Sequence, residues 1–206
     1  MSPEFWCPLR LEARAARRGA ATATVVRTGM GRRRAAAFAG RGADVGRRGA
    51  ILLGLAGAVT DSLDPGDVIV ADTVHGPGPD RFAWGPASEV IRMALREAGI
   101  SAVRGPIRSV ARPVRGAGRR RLARDGALVA DMESWWLLAA DPPPLAVVRV
   151  VSDTPSAELA SLWLPWRVRR ALAVVSRIAA TLESRETPIG SDIGRRLETA
   201  ASGGIS

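Results

Sequence analysis

The sequence predicts an α/β fold, a three-layer α/β/α sandwich with helices covering both faces of a central, largely parallel sheet. Three observations carry this. Short runs rich in Val, Ile and Leu alternate with helical stretches along the chain. Residues 50–55 and 145–151 are apolar without in–out alternation, as expected of strands buried on both faces. The chain has 206 residues, 47% of them hydrophobic, which suits one domain with a sizeable core.

The elements follow in order. Residues 21–27, Ala-Thr-Ala-Thr-Val-Val-Arg, form a β-rich run that stops at Thr28-Gly29-Met30-Gly31. Residues 32–39 read as helix and 50–55 as strand, ending in Gly54-Leu55-Ala56-Gly57. Asp64-Pro65-Gly66-Asp67 is a turn before a strand over 68–74, and 75–79 is a Gly/Pro loop. Residues 86–98 read as helix, with Pro86 in the first turn and Gly99 as a stop. A strand or two is expected over 100–110, a basic helix over 115–124 and a short strand over 127–130. An apolar helix is expected over 131–140, cut by Asp141-Pro142-Pro143-Pro144. Residues 145–151 are the strongest strand. Residues 156–182 are helical in pattern, interrupted at Pro165. The expected domain is therefore 1–182, with 183–206 a polar, flexible tail.

Composition excludes several classes. No apolar run approaches the roughly 20 residues of a spanning helix, and the first residues lack a signal-peptide pattern. A single cysteine, Cys7, excludes an intrachain disulfide and a multi-cysteine metal site. It reads as buried and inert, and a reducing, cytoplasmic location is the default expectation. One histidine, His75, cannot build a multi-histidine site; it reads as a loop or pocket-rim residue. The net charge is +10 and every basic residue is Arg. The arginines are scattered and no nucleic-acid recognition motif accompanies them, so specific nucleic-acid binding is not expected.

Ligand sites in such sheets lie beyond the carboxyl ends of strands. That rule singles out residues 7–14, 29–31, 54–57 and Ser152-Asp153. Singly, each acid has a plain structural reading. Asp131 and Asp153 suit helix caps, and Glu133 suits a first turn.

Taken together, the segments Ala130-Asp131-Met132-Glu133-Ser134, Val148-Arg149-Val150-Val151-Ser152-Asp153, the Gly54–Gly57 turn and Asp64-Pro65-Gly66-Asp67-Val68 resemble the nucleoside phosphorylase/nucleosidase superfamily. The resemblance spans about residues 8–154 and implies a mixed, twisted central sheet. It also implies cleavage of a purine nucleoside at its N-glycosidic bond by a homo-oligomer that needs no metal or organic cofactor. In that reading Asp153 is the acid that protonates the leaving base, its proton held by a desolvated site. Ser152 orients it. Glu133 accepts the ribose hydroxyls, Met132 packs on the sugar, and Ala56 and Gly57 border the substrate.

Residues 7–14 leave the nucleophile open. Glu12 falls in register with the base that activates water in the family's nucleosidases. Pro8-Leu9-Arg10 resembles the phosphate-binding segment of bacterial phosphorylases, in which case phosphate is a co-substrate held by Arg10, Arg27 and Gly31. Leu52 and Leu55 stand where those phosphorylases use Arg and Ser, which favours water. On residue chemistry alone, Arg10 and Glu12 also suit an exposed helix face.

The phrases Pro-Leu-Arg-Leu-Glu-Ala-Arg-Ala, Val-Val-Arg-Thr-Gly-Met-Gly and Ala-Asp-Met-Glu-Ser further resemble a branch associated with hopanoid biosynthesis, which removes adenine from adenosylhopane. A lipid-linked substrate suits Leu162, Trp163, Leu164, Trp166 and Val168 lying beside Arg167, Arg169, Arg170 and Arg177, a pattern able to rest on the inner face of a membrane. Packing on the core or on a partner subunit suits it equally. Trp135 and Trp136 line either an apolar pocket or the core. The rival readings are a soluble methylthioadenosine/adenosylhomocysteine or futalosine nucleosidase, and a noncatalytic arginine-rich protein that binds nucleic acid or membrane.

Overall fold

The computed structural model describes residues 3–41, 49–156 and 164–184. Eight strands form one mixed sheet. The chain runs β1 (Glu4–Cys7), α1 (Arg10–Gly19), β2 (Thr24–Arg27), α2 (Arg32–Ala39), β3 (Ala50–Ala58), β4 (Val68–His75) and β5 (Arg81–Phe82). It continues through α3 (Pro86–Glu97), β6 (Ala102–Ser109), α4 (Ala117–Arg124), β7 (Val129–Asp131), α5 (Ser134–Leu137), β8 (Ala146–Asp153) and α6 (Leu164–Glu183).

β1 pairs in parallel with β2 and β3, β3 with β8, β4 with β6, and β6 with β7. The pairs β3–β7, β4–β8 and β4–β5 are antiparallel. β3 bonds β8 along most of its length and β7 only at Gly57 and Ala58. With β8 also on β4, the strands β3, β8, β4, β6 and β7 close into a ring. The carboxyl ends of β3, β7 and β8 meet on that ring.

Alternation sorts side chains between two cores. Phe5, Ile51, Leu53, Val148 and Val150 face α1, α3 and α6, packing on Ala13, Ala16, Ile91, Leu95, Val175 and Ile178. Trp6, Leu52, Ile69, Val147 and Val151 face α2 and α5, packing on Phe38 and Leu137. At about 25 cal/mol per Å² such two-sided burial is the main force holding the strands. It also explains why β3 and β8 lack alternation in sequence.

Some elements differ from expectation, and others take one of the alternatives left open. The apolar helix over 131–140 is one turn, α5, because Asp131 belongs to β7, paired with Ser109 of β6. Of the helix expected over 156–182, residues 164–182 lie in α6; residues 157–163, with Leu162 and Trp163, lie outside the described residues. His75 closes β4 and holds Asp80 at 2.7 Å, away from the candidate site. Trp135 and Trp136 pack against the α2/α5-side core, in edge-to-face contact at 5.8 Å. Residues 185–206 of the expected tail lie outside the described residues, but Glu183 is the last residue of α6. Its carboxylate accepts hydrogen bonds from the amide of Ala21 at 2.8 Å and the hydroxyl of Thr22 at 2.7 Å.

Candidate active site

One cavity gathers most of the acids singled out in the sequence. Glu12, Ala56, Gly57, Met132, Glu133, Ser152 and Asp153 all line it, together with Asp131 and Arg119. Its remaining wall is apolar: Leu9, Leu11, Met30, Val110, Val114 and Val168.

Glu12 projects from the first turn of α1 and is buried, which removes the exposed-face reading for it. Its Oε2 accepts from the Leu9 amide at 2.6 Å and its Oε1 from the Leu55 amide at 2.7 Å. Beneath it lies Arg149, fully buried at the centre of β8. Arg149 pairs with Asp131 at 2.7 Å through Nη2 and 2.9 Å through Nε, and donates to Ser134 Oγ at 2.9 Å. Its Nη1 has no hydrogen-bond partner among the described residues. Gly54 makes this meeting possible. A Cβ there would lie 2.6 Å from Arg149 Nη1 and 2.8 Å from Glu12 Oε1.

Glu133 follows β7. Its Oε1 accepts from the Gly31 amide at 2.8 Å and its Oε2 from the Met132 amide at 3.3 Å. Gly31 has φ 82°, a left-handed conformation that suits glycine and aims its N–H at the carboxylate. Asp131 is fully occupied as a brace. It accepts from Ser109 at 2.6 Å, from Ser134 and from Arg149.

Burial raises two of these carboxyls. Desolvation pushes Glu12 up, opposed by Arg149 and the two amides. Glu133 is pushed up to about 7, first by desolvation and then by Asp131, with Arg149 and the Gly31 amide opposing. Burial lowers Arg149, but Asp131, Glu133 and Glu12 more than offset this and its pKa is raised. Desolvation also raises the Cys7 thiol well above its ordinary value.

Asp153 ends β8. Ser152 Oγ donates to its Oδ1 at 2.7 Å, with the Ala56 carbonyl 3.2 Å from the same hydroxyl. Its Oδ2 accepts from Arg119 Nη2, both side chains being buried. Arg119 is itself fixed, donating to the Ala58 carbonyl at 2.7 Å and the Val114 carbonyl at 3.2 Å. Asp153, expected in a desolvated site, is buried there and faces a guanidinium. Gly57 sits against the pair, and a Cβ there would lie 3.1 Å from Arg119 Nη2.

Arg10 and Arg27 do not line this cavity. They are exposed and line a neighbouring one of about 310 Å³, which also carries Arg34 and shares Leu9, Leu11 and Met30 with the first. Sequence reasoning missed Arg149 and Arg119. Arg149 interrupts an apolar strand, where a charge must be paired; that signal was present. Arg119 sits in an Arg119–Arg121 run, where nothing distinguishes a buried arginine from exposed ones.

No group of three or more His, Cys, Asp or Glu able to hold a metal occurs among the described residues, and none of their helices is long and apolar enough to cross a membrane.

Residues 12–180 match the phosphorylase superfamily, and the chain belongs to that family of nucleoside-cleaving enzymes. No curated protein matches it in sequence. Among solved structures, the 5'-methylthioadenosine/S-adenosylhomocysteine nucleosidase of Neisseria meningitidis, in complex with methylthio-immucillin-A, is similar with a TM-score of 0.72 and 17% identity, over 87% of this chain and 96% of that one. The corresponding nucleosidase of Campylobacter jejuni has a TM-score of 0.72 and 14% identity, over 89% and 99%. The futalosine hydrolase of Helicobacter pylori has a TM-score of 0.68 and 13% identity, over 95% and 96%. At these identities the likeness is one of fold.

Proposed function

We propose that the chain hydrolyses the N-glycosidic bond of a purine nucleoside, releasing the base. The observation that carries this reading is the placement of Glu12, Glu133 and Asp153 around one cavity, each held by different partners. Bond cleavage builds positive charge on the sugar and negative charge on the base. Glu133, fixed by the Gly31 amide, accepts the ribose hydroxyls and stabilises the cationic sugar when ionised. Met132 packs on the ribose. Asp153 gives the base its proton, which requires the Arg119 contact to loosen so that Oδ2 can carry it. Glu12 takes a proton from the attacking water. Desolvation raises its pKa above the ordinary carboxylate value, which makes it a stronger base.

Water is favoured over phosphate because Glu12 borders the cavity, whereas Arg10 and Arg27 are exposed on a neighbouring one. If phosphate replaces water, Arg10 and Arg27 hold it from there. Gly31 is less suited, since its amide already serves Glu133.

The finer reading is an adenine nucleoside with a large apolar 5′-substituent, such as adenosylhopane. The apolar wall from Leu9 to Val168 supports it. The neighbours' named substrates support the rival, a methylthioadenosine, adenosylhomocysteine or futalosine nucleosidase. A homo-oligomer is part of the proposal. The test is base release from adenosylhopane, methylthioadenosine, adenosylhomocysteine and futalosine, with and without phosphate. Phosphate-independent release supports hydrolysis, and a strict phosphate requirement overturns it.

A further inference from the structure

A second cavity, of about 440 Å³, lies between α2, β6 and α4. Arg32, Arg108 and Arg121 line it, one from each element. None of the three forms an ion pair with a described residue, unlike Arg92, Arg104, Arg119 and Arg149. Among the described residues the one acid on the cavity is Asp125, exposed at the end of α4. Arginines from three elements thus border one hollow, and their combined charge attracts an anion to it. The guanidinium fork matches phosphate oxygens in pairs.

An aromatic ring borders the same hollow. The cavity's volume is in the usual range for small-molecule sites. Trp136 forms part of the wall, braced edge-to-face on Trp135. Trp135 is anchored in turn, its amide donating to Ser109 Oγ at 2.9 Å. Ser109 also borders the cavity.

This cavity is separate from the candidate active site. Val110 and Val114 line both and stand between them. None of Glu12, Glu133 and Asp153 reaches it. Along α4, Arg119 turns to Asp153 and Arg121 to the second cavity. A phosphate bound here is therefore not the nucleophile of the reaction proposed above.

We propose that this cavity binds a soluble phosphate ester, with Arg108 and Arg121 on the phosphate and Trp136 beside the esterified group. The test is a titration of the full chain with phenyl phosphate, inorganic phosphate and phenol, followed by tryptophan fluorescence and by calorimetry. Saturable binding of phenyl phosphate, with none of phenol, is expected. Affinity should fall roughly tenfold or more in Arg108→Gln and in Arg121→Gln, the loss of a charge-assisted contact. It should persist in Arg10→Gln and Arg27→Gln. In Trp136→Phe the fluorescence change should vanish while calorimetric binding remains. Arg121 is exposed, so its variant stays readable if Arg108→Gln unfolds. The proposal is overturned if phenyl phosphate does not saturate, if both arginine variants bind as the wild type does, or if binding is lost with Arg10 or Arg27 instead. Binding to phosphatidylglycerol vesicles without binding to phenyl phosphate overturns it as well.

Discussion

Arg149 holds the candidate site together from below. It is fully buried, and Asp131, Glu133 and Glu12 all act on it. Replacing it by Met keeps the bulk and strands the carboxylates. Denaturation of Arg149→Met should show a loss of about 3–5 kcal/mol, the cost of breaking a buried pair from one side. Gly57 makes a second residue-scale prediction. In Gly57→Ala the new methyl presses on Arg119 and Asp153, 3.1–3.3 Å away. Base release should fall on the order of 10–100-fold, because displacing a reacting group by fractions of an ångström is costly. Glu133 predicts a pH effect. Its carboxyl is raised from 4.5 to about 7 in the fold. Between those values the folded chain holds a proton that the unfolded chain has released, so stability falls as pH rises across that window. Chemical denaturation should show this fall in the wild type and a shallower one in Glu133→Gln. Base release should run the opposite way, climbing with pH through about 7 as Glu133 ionises.

At the scale of elements, the strands of the site were legible and its helices less so. β3 and β8 are apolar on both faces, and their ends are polar or glycine-rich, so Gly57 and Asp153 could be placed at strand ends from sequence. α5 was overestimated because Trp135, Trp136, Leu137 and Leu138 are apolar in a row. That apolarity serves the core beneath β4 and β6 rather than a long helix. Arg119 was hidden by the opposite problem: its neighbours Arg120 and Arg121 share its residue type but are exposed. The end of α6 is set by a contact no local pattern reveals. Glu183 caps the amides before β2, 162 residues away for Ala21. Glu183→Ala should therefore lower stability by about 1 kcal/mol, the net worth of such hydrogen bonds, read by thermal or chemical denaturation.

For the molecule as a whole, alternating strands and helices were enough to predict a layered α/β fold. They were not enough to predict that the sheet closes. β8 pairs with β3 in parallel and with β4 antiparallel, and β7 returns to β3 at Gly57 and Ala58. These pairings join residues dozens apart and leave no periodic mark in the sequence. The closure brings the ends of β3, β7 and β8 together, and so places Gly57, Glu133 and Asp153 on one cavity. Glu12 reaches it from α1 because Gly54 leaves the space a side chain would fill.

In the proposed reaction this cavity cleaves a purine nucleoside with Asp153 supplying the proton. Its most direct test is free-base release by the wild type and by Asp153→Asn over a panel of adenine nucleosides and futalosine. Release by the wild type from at least one of them is expected, with its loss in a variant that still folds. Equal release by both proteins, or none by the wild type from any nucleoside of the panel, would contradict that reaction.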